Sequence, residues 1–237
     1  MVIDKNIECW IADTLIEKPY PFSVNDRLFY LYPVTIGKRY LLQRNISSLG
    51  INKDNLKEYP YLEILKICQQ QRDIVIRIVV YHTLHTKKQI FNLSLVDSRI
   101  QYFNEHLSNE ELAQLLVIVL NNDKTEQFIK YFAIDKETEY KSKVSKFKKD
   151  TSTAVSFGGK SIYGTMIDFA CERYGWSYDY VVWGISYNNL KMMMSDCIST
   201  HYLSKEEMRK LHIPKDRTVV SADNRENLEM MKKYFND

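Results

Sequence analysis

Apolar residues recur at the three- and four-residue spacing of an amphipathic helix through most of this chain. Residues 61–84 keep this spacing without a turn signal and predict one continuous helix, although the β-branched run IVIRIVVY leaves a strand as an alternative. Ser108 precedes Glu111 by three residues, which predicts a capping box at the start of a helix over LAQLLVIVL. The middle of the chain is therefore predicted to be helical.

A short β-hairpin is predicted near the beginning. The segment RLFYLYPV, residues 27–34, loosely alternates aromatic residues with others and is closed by Pro33, as a strand would be. Residues 22–24 could supply the partner strand, because Asn25 and Asp26 between them favour a turn. The following KRYLLQRNISSLGI has helical apolar spacing, so the hairpin is expected to lead into a helix.

The last third of the chain contains many residues that predict helix starts and ends. Four serines are predicted to begin helices: Ser161, Ser177, Ser186 and Ser204. Gly175 and Gly184 are predicted to end the first two of these helices, and the third is predicted to continue through Tyr202. Ser204 forms a second capping box with Glu207, and a last short helix is expected over 223–235.

The chain changes character at residues 135–160, where charged and hydroxyl residues dominate. Such a composition favours a solvated helix extension followed by a linker. We therefore expect a mainly α (α+β) fold with three parts. Residues 1–134 form a small N-terminal β-hairpin followed by a helical domain, 135–160 form a charged linker, and 161–237 form a compact C-terminal helical module.

Composition excludes several classes of protein. Hydrophobic residues make up 45% of the 237 residues, enough for a packed core, and a formal net charge of +3 gives no general attraction to nucleic acid. The four cysteines form no CxxC pair, which favours reduced thiols in a cytosol. No signal peptide is visible, and no apolar run approaches the roughly 18 residues that span a bilayer. We expect a soluble protein of the cytoplasm, with no membrane or nucleic-acid partner.

The segment AVSFGGKS, residues 154–161, formally fits a relaxed nucleotide-binding loop. In such a loop Lys160 would reach the phosphates and Ser161 would hold Mg²⁺. However, a charged stretch precedes the segment in place of a buried strand, and too little chain follows for a parallel-sheet domain. A weaker anion-binding role is left open for the turn and helix start formed by Gly158, Gly159, Lys160 and Ser161.

Other candidate chemical groups carry little weight. His82 and His85 have a spacing that suits two zinc ligands on a helix, but no further ligand cluster accompanies them. We interpret them as a solvated helix end. Asp168, Glu172 and Cys171 lack an evident activating partner and are typical of a polar helix face. No metal, cofactor or catalytic residue is predicted, so the protein is not expected to be an enzyme.

An unusually aromatic segment lies between residues 174 and 194. Its aromatic residues are too many for all of them to be buried, and exposed Trp and Tyr are favoured at the centres of protein interfaces. The adaptable methionines that follow suit either a core or a partner groove. The candidate partner-binding residues are Tyr174, Trp176, Tyr178, Tyr180, Trp183, Tyr187, Met192 and Met193.

The pattern YGWSYDYVVWGIS and the helix after it resemble the C-terminal part of the tail assembly chaperones of tailed bacteriophages and prophages. The segments FSVNDRLFYLYPVTIGKRYLL and HLSNEELAQLLVIVLNNDKTEQFIKYFAID are similar to the opening and the middle of such proteins. The resemblance implies a non-catalytic protein that coats the tape-measure protein before the tail tube polymerises. It also implies self-association, the tail tube protein as a further candidate partner, and action in the cytoplasm of the bacterial host.

Two rival functions are left open by the sequence. The first is a structural virion component, such as a connector or tail-completion protein, which would remain in finished particles. The second is a nucleotide-binding enzyme that uses the AVSFGGKS loop. Presence in mature particles would favour the first rival, and ATP binding that depends on Lys160 would favour the second.

Overall fold

The computed structural model describes residues 5–51, 58–121, 125–151, 160–198 and 200–212. In these ranges it contains helices and one antiparallel two-stranded sheet, which confirms the mainly α (α+β) fold with a small hairpin. The strands are β1 (Tyr20–Val24) and β2 (Arg27–Leu31). The helices are α1 (Lys5–Leu15), α2 (Ile36–Ser48), α3 (Pro60–Gln70), α4 (Arg72–His82), α5 (Lys87–Ile90), α6 (Leu93–His106), α7 (Asn109–Leu120), α8 (Thr125–Tyr131), α9 (Ile134–Thr151), α10 (Ile162–Tyr174), α11 (Tyr178–Trp183), α12 (Tyr187–Ser195) and α13 (Lys205–Lys210).

The hairpin forms where the sequence predicts it. Asn25 and Asp26 both have positive φ, 44° and 62°, which is the backbone that a two-residue hairpin turn requires. Burial alternates along both strands, so Phe22 and Phe29 face the helices while their neighbours face solvent. Their rings pack against Phe103 of α6 at centroid distances of 5.9 and 4.9 Å. Aromatic packing therefore fixes the sheet on the helical core.

Most of residues 61–84 are helical, as predicted, but they form two helices, the second of which ends at His82. Gln71 breaks the run, with φ −133° and ψ 41°. Next to the break, Arg72 donates hydrogen bonds to the side chains of Asn104 and Asn109 and to the carbonyl of Leu107. These hydrogen bonds satisfy the Leu107 carbonyl and the two asparagine side-chain oxygens at the α6–α7 junction. The break thus places one guanidinium across three helices, which the apolar spacing alone does not indicate.

The main core lies between the hairpin and helices α2–α7. Its central α4 is buried on most of its surface, with Val75, Ile76, Ile78, Val79 and Val80 all excluded from solvent. A second, smaller cluster joins α2 to α10–α12 and consists of Ile36, Met166, Ala170, Val181, Ile185 and Leu190. None of the helices in the described ranges is long and apolar enough to cross a membrane.

The chain divides into two compact units. One unit comprises residues 1–135 together with 156–197, and the other comprises 136–155 together with 198–237. Residues 161–197 share a unit with the hairpin. The predicted linker contains α9, where Lys143 pairs with Glu139 one turn earlier at 2.7 Å. Such charged pairs stabilise a solvated helix, which explains the polar composition.

The predicted helix starts in the C-terminal part are confirmed. Ser161, Ser177, Ser186 and Ser204 each accept a hydrogen bond from a backbone N–H in the first turn of α10, α11, α12 and α13. Gly175 takes the left-handed conformation that ends α10, with φ 65°. Helix α12 ends at Ser195, so the prediction that it continues through Tyr202 is wrong. The polar residues and β-branched Ile198 that follow have low helix propensity. The predicted helix over 223–235 lies outside the described residues.

Candidate functional site

Aromatic rings pack one against the next around the turn between α10 and α11. The left-handed Gly175 reverses the chain so that the ring of Trp176 comes to lie 4.8 Å from Tyr174 and 5.2 Å from Tyr180. Tyr174 in turn contacts Phe169 edge to face at 5.9 Å. The rings support one another, so their orientations are fixed before any partner arrives.

The aromatic residues predicted to bind a partner fall into two groups by exposure. Tyr178 and Tyr180 are exposed over 64% and 47% of their surface, and Trp176 is half-buried beside them. Trp183 lies differently: its ring packs edge to face on Phe91 at 5.4 Å and covers Gly37 of α2. Trp183 therefore joins α11 to the main core, while the two tyrosines face solvent.

Two tyrosines that the sequence did not single out belong to the same surface. Tyr40 of α2 lies 4.1 Å from the ring of Tyr163 in α10. Tyr178 begins α11, which packs on α2. Desolvation, followed by the neighbouring phenols of Tyr163 and Tyr178, raises the pKa of Tyr40 above its ordinary value. We define the aromatic surface as Tyr40, Tyr163, Trp176, Tyr178 and Tyr180. Contact between positions more than one hundred residues apart has no signal in a single sequence.

The remaining predicted partner-binding residues lie beneath or beside this surface. Tyr187 is half-buried, and the guanidinium of Arg39 lies 4.5 Å above its ring. Arg39 also donates a hydrogen bond from Nε to the hydroxyl of Tyr163 at 3.2 Å. Met193 is half-buried against the smaller core cluster, and Met192 is half-buried as well. Arg39 thus ties α2 to α10 and α12 beside the surface.

The sequence predicted that His82 lies at a solvated helix end, but the structure buries it. It is 3% exposed, and its Nδ1 lies 2.8 Å from the carbonyl of Ile78. Burial, with a contribution from the nearby positive charge of Lys38, lowers the pKa of His82 to about 4, so the imidazole is neutral at pH 7. His85 is exposed and packs on Tyr32 at 4.6 Å, so the two histidines occupy different surroundings.

Two adjoining pockets open on either side of His82. One has a volume of about 320 Å³ and is lined by residues of α2, α7, α10 and α12, including Arg39, Tyr163 and Tyr187. The other, about 550 Å³, lies between α1, the hairpin and the start of α12. Both are lined by His82, Val119 and Asn188. Both volumes fall in the range that small molecules or single side chains fill in proteins.

The residues predicted to bind an anion are only partly described. Gly158 and Gly159 lie outside the described residues, whereas Lys160 and Ser161 are exposed. The Ser161 hydroxyl accepts the Gly164 N–H at 3.2 Å and caps α10. Its hydroxyl is thereby engaged in the helix cap that the sequence predicts.

Side chains with catalytic or metal-binding chemistry are scattered over the described part of the chain. Asp168 and Glu172 are exposed on α10, and Cys171 beside them is half-buried. Within the described ranges no three histidine, cysteine or acidic side chains meet in a group that could hold a metal ion. Comparison of the chain with protein-family models, curated proteins and solved structures found no match.

Proposed function

We propose that this chain is a tail assembly chaperone of a tailed bacteriophage or prophage, which binds the tape-measure protein in the cytoplasm of the bacterial host without catalysis. The single observation that carries the proposal is the aromatic surface. Exposed Tyr40 packs on Tyr163, exposed Tyr180 packs on Trp176, and exposed Tyr178 lies on the same helix as Tyr180, all within one compact unit. Rigid, exposed aromatic residues contribute more binding free energy than other side chains of similar area, because little conformational entropy is lost on contact.

The aromatic surface and the family resemblance together indicate what kind of protein segment would bind here. Tape-measure proteins are long and helical in the family that the chain resembles, and they need a cover for apolar side chains before the tube forms. An apolar helix stripe can lie across Tyr40, Tyr178 and Tyr180, with the phenol hydroxyls left at the wet rim. The free hydroxyls also keep the surface compatible with water when no client is bound.

The test is co-expression with the tape-measure protein of the same genome, followed by affinity purification and sizing of the complex. We expect a soluble complex that Tyr178→Ala weakens by about tenfold, the scale of an interface hot spot. The matched control is Tyr59→Ala, because Tyr59 is 63% exposed against 64% for Tyr178 but precedes α3, which packs on α4 and α7. Affinity should be unchanged in the control.

Two other outcomes would contradict the proposal in different ways. If Tyr178→Ala and Tyr59→Ala lose affinity for the tape-measure protein equally, or if both keep it, the aromatic surface is not the binding site. Failure of the parent protein to bind the tape-measure protein, together with its detection in mature particles by mass spectrometry, would replace the chaperone function with that of a structural virion component.

A further inference from the structure

The smaller of the two pockets beside His82 combines an apolar body with two polar ends. Its walls include the buried Leu42 and the half-buried Ile46, with the rings of Tyr163 and Tyr187 beside them. Arg39 lines it from the exposed side, and His82 lines it from the interior. All of these residues belong to one compact unit, so the pocket is a property of that unit alone.

The inner end presents a hydrogen-bond acceptor on the largely buried ring of His82. Since the Ile78 carbonyl can only accept, Nδ1 of the neutral His82 ring carries the proton and donates to it. The lone pair of Nε2 is then left as an acceptor, and no described residue donates to it. A ligand group that supplies an O–H or N–H can therefore donate a hydrogen bond to Nε2.

The outer end presents a positioned cation. Arg39 uses Nε for the Tyr163 hydroxyl and stacks over the Tyr187 ring, which holds the plane of its guanidinium. The two Nη groups make no hydrogen bond to any described residue. A guanidinium fixed in this way offers two parallel N–H donors, the arrangement that binds a carboxylate at both oxygens.

We propose that this pocket binds a small carboxylic acid whose apolar or aromatic body carries a hydrogen-bond donor, with the carboxylate on Arg39 and the donor on Nε2 of His82. The apolar walls take the body of the ligand. The site is distinct from the aromatic surface in what it recognises, because it selects a compact polar-ended molecule and not an apolar helix stripe. The proposal therefore goes beyond the chaperone function and does not depend on it.

The test uses N-acetyltyrosine and two analogues that each lack one end. N-acetylphenylalanine lacks the hydroxyl donor, and N-acetyltyrosine amide lacks the carboxylate. By isothermal titration calorimetry we expect N-acetyltyrosine to bind and each analogue to bind about tenfold more weakly, the factor that one hydrogen bond contributes. Arg39→Gln should abolish the preference for the acid over the amide. Arg77→Gln, which alters an exposed arginine of α4, should leave that preference unchanged.

A second measurement follows His82 without changing it. In the ¹⁵N-labelled parent protein, N-acetyltyrosine should shift the Nε2 resonance of His82 toward the value of a hydrogen-bonded acceptor, while N-acetylphenylalanine should leave it in place. Equal affinity for the three compounds, or no binding of N-acetyltyrosine up to about 1 mM, would overturn the proposal. An unchanged Nε2 resonance at saturation would do the same.

Discussion

Lys38 places an ammonium group in the interior of the protein. The residue is 1% exposed, and Nζ has no hydrogen-bond partner among the described residues. The Tyr32 ring lies 5.8 Å from Nζ and offers a weak cation–π contact. Burial lowers the pKa of Lys38 to about 8, and the carboxylate of Glu17 opposes this shift only in part. The charged amine therefore destabilises the folded state at neutral pH.

Replacing this amine by an apolar side chain is predicted to stabilise the protein. Lys38→Met should raise the free energy of unfolding at pH 7 by roughly 1–3 kcal/mol, because no buried charge remains. Because the folded pKa is lowered, the folded parent binds fewer protons between pH 8 and 10.5, and its stability should rise with pH across that window. Urea unfolding of parent and variant measures both effects, and the variant should lack the rise.

The matched control for Lys38 is Lys66→Met, which alters an exposed lysine of α3. Its stability and pH dependence should equal those of the parent. If Lys38→Met is instead less stable than the parent at pH 7, the ammonium has a stabilising partner in solution. In that case a ligand or ordered water molecules offset the free-energy cost of burying the ammonium group.

At the scale of elements, α2 and α11 approach each other at Gly37. A Cβ atom at this position would lie 2.5 Å from the ring of Trp183, closer than side-chain carbons are found. The indole also packs edge to face on Phe91, so a shift of the ring would disturb that contact as well. Glycine is therefore required here for the contact between helices and not for its backbone angles.

Alanine substitutions at two helical glycines should have opposite effects. Gly37→Ala forces the Trp183 ring to shift and should lower the free energy of unfolding by about 1–3 kcal/mol. Gly164→Ala, in the first turn of α10, meets only its own cap residue Ser161, at 3.4 Å, and should raise stability by up to about 1 kcal/mol. Thermal unfolding would measure both variants. Equal stabilisation would show that helix propensity, and not the contact with Trp183, governs both sites.

Local signals in the sequence located most element boundaries. The serine caps, the Gly175 turn and the Asn25-Asp26 hairpin each depend on residues within a few positions of one another, so one sequence suffices to predict them. Helix α1 was not predicted, and the break at Gln71 carries no turn residue. The contact between Tyr40 and Tyr163 and the burial of His82 arise only from tertiary packing. These are the features that complete the candidate site.

At the scale of the whole molecule, the first compact unit is built from two separate stretches of chain. The N–H of Tyr187 donates to the Val34 carbonyl at 2.7 Å, and the N–H of Ser186 donates to the Glu17 carboxylate at 2.7 Å. Trp183 adds apolar contact with Gly37. The charged composition of 135–160 suggested a domain boundary, but composition does not reveal that the chain then returns to pack on its own beginning.

Cutting the chain between these stretches should therefore leave them together. A protease site inserted between Thr151 and Lys160 should yield two fragments that elute as one species in native sizing, because the hydrogen bonds and the Trp183 contact do not need the covalent link. In the cleaved protein, Trp183→Ala should promote dissociation by removing the contact with Gly37. Tyr61→Ala, on the exposed face of α3, is the control and should not. Separation of the fragments of the cleaved parent would restore the C-terminal part as an independent domain, and with it the division that composition predicts.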